Sequence, residues 1–353
     1  MGAAMLEFTT TRHNPLVDPH LAVWSWEIPL YLFVGGIAAG LMILGGIAML
    51  RMARGEDTRG YFSLHAPLAA FMLLNVGMGA LFLDLAHKLY VWAVYLTFQP
   101  TSPMSWGSWV LIIVYPLLLA SALIRLPEAW PWLARRLPVV RRWSDALLAR
   151  PDRIRLLAWV NIVLGVALGI YTGILLSTMV ARPLWNVSIL GPLFLVSGLS
   201  AGAALLHLMS VVLPPKRPAP QGLVGGAIGA LLQPLGAQAP EKSAANGLIR
   251  ADIGLLAVEL LMLGLLLVGL LTASASHAAA FDLLMSGRFA IAFWGVLVVL
   301  GIVVPLLLQA LELSHRIPHT VVPAALVLVG GYTLRWLMVN AGQVSEVVST
   351  AAR

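Results

Sequence analysis

The sequence predicts an all-α integral membrane protein: eight transmembrane helices forming two pseudo-symmetric four-helix bundles, with both termini outside. Three observations carry this expectation. Sixty per cent of the 353 residues are apolar and only 10% are charged, a composition outside the soluble class. Eight apolar runs approach the ~20 residues that a helix needs to cross a bilayer. The Lys and Arg between those runs cluster in every second connection.

Taken in order, the runs fall near 24–50, 62–84, 106–125, 156–180, 189–213, 251–273, 288–310 and 318–340. Connections 51–61, 125–155, 214–250 and 311–317 hold three, eight, four and one of the 22 Lys and Arg. The positive-inside rule makes those connections cytoplasmic and turns both termini outward. The net charge of +7 is thereby a topology signal, and no nucleic-acid partner is expected. The sequence then divides into an outer N-terminal segment (1–23), a first bundle (24–180), an outer loop with span 5 (181–213), a Pro-, Gly- and Ala-rich cytoplasmic linker (214–250), the rest of the second bundle (251–340) and a tail (341–353). Residues 1–16 lack the apolar core of a cleaved signal.

The two halves resemble each other. Leu32–Gly40 matches Phe194–Gly202, Val114–Leu119 matches Val303–Leu308, and Gly169–Thr172 matches Gly330–Thr333, at offsets of 162, 189 and 161 residues. An even number of spans per copy makes the copies run the same way. Gly36 and Gly40, and their counterparts Gly198 and Gly202, offer small surfaces for close helix contact.

Within this frame the polar residues are informative. Glu27 lies just inside span 1, behind Trp24 and Trp26 of a membrane-interface belt. A carboxylate there costs roughly 2.5–3.5 kcal/mol on insertion scales, so it points to function. Span 2 returns to the same side and ends in Asp84, His87 and Lys88. Span 4 brings Tyr171 and Thr172 to that depth, and segment 85–105 has the character of an amphipathic lid. Carboxylates, a histidine and a tyrosine at one apolar surface suit a quinone, which needs donors to its carbonyls, a proton partner and a lipid-facing slot. The bland alternatives are a surface pair for Asp84 and His87, and an interfacial anchor for Tyr171.

A deeper set includes His65 and Asn75 in span 2, Asn161 in span 4, and Asp252 and Glu259 on one helix face in span 6. Gln309, Glu312 and His315 end span 7, and Arg335 lies in span 8. Buried acids and amides serve a proton route or interhelical hydrogen bonds; Arg335 either pairs with an acid or snorkels outward. With no cysteine, the protein has no thiolate ligands for an iron–sulfur cluster. His65 and His207 alone lie clearly inside spans, both toward the inner side, where a single haem is conceivable; no outer pair completes a trans-membrane haem path, and neither haem nor another resident metal is expected.

Trp24–Gly40, Ser102–Trp109 (SPMSWGSW) and Gly169–Ser177 (GIYTGILLS) together resemble the NrfD/PsrC family, over most of 20–340. The resemblance implies a haem-free menaquinone or ubiquinone site near the outer face of a multi-pass subunit in the bacterial cytoplasmic membrane. It further implies electron exchange with a ferredoxin-like iron–sulfur subunit that bears 4Fe-4S clusters and docks outside, backed by a molybdopterin subunit that performs the terminal chemistry. Family site positions map onto Tyr171 and, more loosely, onto the start of span 1 and the outer end of span 2. Some members carry His and Asn where this sequence has Tyr31 and Ile28, and Glu27 resembles the variant of others. The expected site is Glu27, Tyr31, Asp84, His87 and Tyr171, with a proton path over His65, Asn75, Asp252, Glu259 and Arg335. A secondary transporter, whose spans would break near the middle, and a passive anchor are the rival readings.

Overall fold

The computed structural model describes the backbone of residues 24–56, 61–129, 135–212 and 242–345. Among these residues all regular structure is helical, and eight helices are long and apolar enough to cross a membrane. Spans 1 to 8 are Glu27–Met52, Tyr61–Asp84, Pro103–Ala129, Pro151–Ser177, Leu190–Val212, Lys242–Ala273, Ile291–Leu313 and Val322–Val344. The molecule is a multi-pass membrane protein.

Span 1 is the hub, packed against spans 2, 4, 5 and 8. Its sequence explains this: small residues surround it, so neighbours approach from every side, and most of Ile28–Met49 is buried. The two glycine rows meet each other. A Cβ on Gly40 would run into the backbone of Gly198 and Leu199, and one on Gly198 into Gly36. Contacts 36 to 198 and 40 to 202 ascend together, so spans 1 and 5 are parallel, and only glycine lets the two backbones come this near. Gly46 and Gly165 do the same between spans 1 and 4, here with the helices antiparallel.

One end of the molecule is sealed by polar ties. The Trp24 N–H donates to Gln343 Oε1 at 2.9 Å, and Gln343 Nε2 returns a bond to the Trp24 carbonyl at 3.0 Å. Trp185 is fully buried against Gly342, where any added Cβ would collide with the indole. Its Nε1 donates to the Met338 carbonyl at 2.6 Å, and the Arg182 guanidinium donates to the Ser345 carbonyl at 2.9 Å. These bonds fix the start of span 1 and the span 4–5 loop onto the end of span 8.

Four features go beyond the sequence reading. Span 6 begins at Lys242, inside the segment read as a linker, because Pro240 is the last helix breaker and Lys242–Ala245 are tolerated in a helix; the rest of that segment, 213–241, lies outside the described residues. The Arg-rich connection contains an amphipathic helix, Pro138–Leu148, started by proline. Helix Ala275–Met285 follows span 6, its first turn capped by Ser274, whose Oγ accepts the His277 N–H. Span 7 is also unusual: Ile291–Val303 is wound wide, with Val304 N–H bonding back five residues to Val299, before it continues as α-helix to Leu313. The pitch changes beside Pro305, which has no N–H to donate.

Candidate functional site

Alternating helix directions put the start of spans 1 and 3 and the end of spans 2 and 4 at the same end. Glu27 is the first residue of span 1 and half-buried; its Oε2 is enclosed by protein and has no hydrogen-bond partner among the described residues. Asp84, the last residue of span 2, is half-buried and lies in electrostatic range of both the Glu27 carboxylate and the Lys88 ammonium. Two acids and one cation thus meet between the helix ends.

Beneath them sit the tyrosines. Tyr31, one turn into span 1, and Tyr171 in span 4 are both buried. Tyr31 is in electrostatic range of Tyr171, and both are in range of Tyr95. Gly107 makes room for this cluster: a Cβ there would overlap the Tyr171 phenol ring. That is a reason for glycine in the middle of the SPMSWGSW motif, a position where it costs about 1 kcal/mol of helix propensity.

The rest of that motif holds the lid. Segment 85–102 carries a short 3-10 turn, Lys88–Tyr90, and the one-turn helix Ala93–Leu96. Ser108 Oγ donates to the Val94 carbonyl at 3.1 Å and Ser105 Oγ to the Thr97 carbonyl at 3.2 Å. Ser105 Oγ also accepts the Gln99 N–H at 2.9 Å, and Trp106 Nε1 donates to the Pro100 carbonyl at 2.7 Å. Trp109 packs edge-on against Phe98 with ring centroids 5.4 Å apart. The lid delivers Tyr95, a phenol that is a hydrogen-bond donor at neutral pH and whose pKa burial pushes up further. The outer side of the lid is apolar and exposed at Leu89, Tyr90, Trp92, Leu96 and Phe98.

The remaining sequence-predicted residues distribute unevenly. His87 is exposed at the start of the lid. Asn75 faces outward from span 2 and turns its Nδ2 back to the Phe71 carbonyl at 2.7 Å. The side chain of His65 lies outside the described residues. Asp252, Glu259 and Arg335 are buried together among spans 5 to 8. Asp252 accepts from Ser200 Oγ and Gln309 Nε2, both at 2.6 Å. Glu259 bonds Ser197 and lies in electrostatic range of Arg335. The arginine does not snorkel: it is 1% exposed, donates to Ser197 Oγ, to the Phe194 carbonyl at 2.9 Å and to the Gly331 carbonyl at 3.1 Å, and stacks over the Phe194 ring. Sequence reasoning missed Ser197 and Ser200, because a lone serine in an apolar helix carries no distinguishing pattern, and it read Tyr95 only as part of the lid segment 85–105. An apolar groove between span 3 and helix Pro138–Leu148, lined by Pro116, Leu123, Trp143 and Leu147, lies at the far end, away from these acids.

Comparison with known proteins agrees with the motif resemblance. The family model described as "Polysulphide reductase, NrfD" matches residues 13–222 and 219–347. The chain belongs to the NrfD family. Among NrfD-family relatives it is 29% identical to the C component of the polysulfide reductase of Wolinella succinogenes, over 91% of this sequence and 94% of that protein. It is likewise 29% identical to the protein NrfD of Escherichia coli, covering 92% and 96% of the two sequences. The C component of the selenate reductase of Mesobacillus selenatarsenatis is 23% identical, over 90% of this sequence and 73% of that one. Family membership thus extends over both the Glu27 end and the buried row of spans 5 to 8.

Proposed function

We propose that this NrfD-family protein is the quinone-reactive membrane subunit of a multi-subunit oxidoreductase in the bacterial cytoplasmic membrane. The observation that carries this reading is the cluster of Tyr31, Tyr95 and Tyr171 beneath the Glu27 and Asp84 carboxylates, roofed by the tethered lid. Such a cluster provides phenol donors for quinone carbonyls, and Glu27 Oε2 is an acceptor enclosed by protein with no hydrogen-bond partner among the described residues. Oxidation of a quinol releases two electrons and two protons. Glu27 and Asp84 would take the protons, and the electrons would leave to an iron–sulfur subunit docked over this end; reduction runs the same steps backward.

Relatives named as components of polysulfide and selenate reductases support membership of such a complex, with 4Fe-4S clusters and molybdopterin on partner subunits. The distribution of Lys and Arg supports an outward-facing site. The row joining Asp252, Glu259 and Arg335 is a candidate for proton handling in spans 5 to 8. Among the described residues no span is interrupted by coil, and span 7 changes pitch but stays continuous, which favours this reading over a transporter with broken helices.

The test is quinol-dependent electron transfer by the purified complex with Glu27→Gln or Tyr171→Phe. Losing a positioned proton donor or acceptor should slow turnover by about 100-fold or more, with the complex still assembled. Full turnover in both variants would remove the site from this end of the molecule and leave the anchor reading.

A further inference from the structure

At the end of the molecule opposite Glu27, three residues that the quinone reading does not use converge. His207 stands near the close of span 5, Glu312 near the close of span 7, and His319 in the connection to span 8. One ligand atom from each can be chosen so that all lie within 4.8 Å of one another. The two imidazole rings are 6.4 Å apart between centroids and nearly perpendicular, and His319 Nδ1 is 3.6 Å from Glu312 Oε2.

The carboxylate is held as a ligand is held. Its side chain is fully buried. Oε1 accepts both the Thr320 N–H at 2.9 Å and the Thr320 hydroxyl at 3.0 Å, which fixes the plane of the group. Oε2 is buried and has no hydrogen-bond partner among the described residues, and it is the oxygen turned toward the His319 ring. A buried carboxylate oxygen with no hydrogen bond is costly; its 3.6 Å contact with the His319 ring is too long to be one, and a cation seated between the carboxylate and the two imidazoles would meet that cost. Thr320 then acts as the outer partner that orients a metal-bound carboxylate.

From this geometry we infer that His207, Glu312 and His319 form a binding site for a divalent transition-metal ion of the zinc class. Two imidazoles and one carboxylate suit Zn2+, which takes nitrogen and oxygen ligands at about 2.0–2.2 Å in tetrahedral array. Ligand atoms in such an array lie roughly 3.4 Å apart, so the three side chains have only to draw in by about an ångström. His319 is partly exposed and gives the ion its way in, and the fourth position is left to water. A bound ion would clamp the end of span 5 to the connection between spans 7 and 8. The site is independent of the quinone reading and does not require it.

The probe is Zn2+ alone, titrated calorimetrically into the untagged full-length protein in detergent. The expected result is one equivalent at micromolar or tighter affinity, weakened at least 100-fold by His319→Ala, since even an outer-partner substitution costs 10- to 100-fold. X-ray absorption on the loaded protein should show nitrogen and oxygen neighbours at about 2.0–2.1 Å. Zn2+ should also raise the thermal midpoint of the wild type and not of His319→Ala, which sits in a surface connection and leaves the packing of the spans intact. Thr320→Val should weaken binding about tenfold. Failure to bind at 100-fold excess, or binding of equal strength in His319→Ala and Glu312→Gln, overturns the proposal.

Discussion

The two polar regions of this membrane protein are built in opposite ways. At the Glu27 end, carboxylates sit half-buried at helix termini, the tyrosines below them are packed by van der Waals contact, and a loop is stitched over the top by single hydrogen bonds. In spans 5 to 8, Asp252, Glu259 and Arg335 are enclosed completely, and serine, amide or backbone groups meet most of their polar atoms, the Arg335 Nε among the described residues being left unbonded. Groups that must exchange protons or contact a ligand need water, slack and an unfilled valence. Groups that fix helix register in lipid need the reverse, because an unpaired charge in that medium is what the fold can least tolerate. The difference lies in enclosure more than in polarity: the acids at the Glu27 end are half-buried, whereas those of spans 5 to 8 are closed off and almost fully bonded.

Arg335→Leu breaks the comparison most severely. It removes the bonds to Ser197 and to the Phe194 and Gly331 carbonyls and takes away a cation in electrostatic range of buried Glu259, and leaving a buried charge uncompensated costs about 3–5 kcal/mol. Expression and thermal stability of the detergent-solubilised protein should fall sharply, and Arg335→Leu combined with Glu259→Leu should recover most of the loss. A stable single variant would show that the row is no scaffold. Gly107→Ala is the next largest effect and acts at the other region. The added methyl pushes the Tyr171 ring aside, and a displacement of about 1 Å costs up to 100-fold in rate. Quinol-dependent turnover should drop while the thermal midpoint moves little; the opposite pattern would make Tyr171 a packing residue. Ser108→Ala is milder still. It removes one tether of the lid, worth about 1 kcal/mol, so amide exchange across 88–97 should quicken about fivefold, with turnover nearly intact.

Much of this architecture is legible in the sequence. All eight spans are, because length and apolarity suffice when the solvent is a bilayer. Glu27, Asp84 and Tyr171 are legible as a group because loop charge orients each span and so gives every polar residue a depth. The glycines of spans 1 and 5 are visible as small-residue rows, though not that the rows face one another. What is hidden depends on contacts remote in sequence. Ser197 and Ser200 acquire meaning only beside Glu259 and Asp252, and His319 only beside His207 and Glu312. The early start of span 6 is signalled by Pro240 alone, and a Pro- and Gly-rich stretch invites reading as linker to its end. Arg335 presents a true ambiguity, pairing or snorkelling, that only its packed neighbours resolve.

Asn75 gives the smallest effect and the sharpest check on the distinction. By sequence it stands with the buried acids, an amide in the middle of span 2. In the fold it points away from the spans, and its Nδ2 is spent on the Phe71 carbonyl four residues back. An exposed amide bonded to its own helix neither anchors a neighbour nor relays a proton. Asn75→Leu should therefore change stability by no more than about 0.5 kcal/mol, the range of surface substitutions, and leave both quinol turnover and the proton uptake that accompanies it at wild-type rates in proteoliposomes. Slowed proton uptake in this variant would place a proton route on the outer side of span 2, where it would need a partner subunit to cover it.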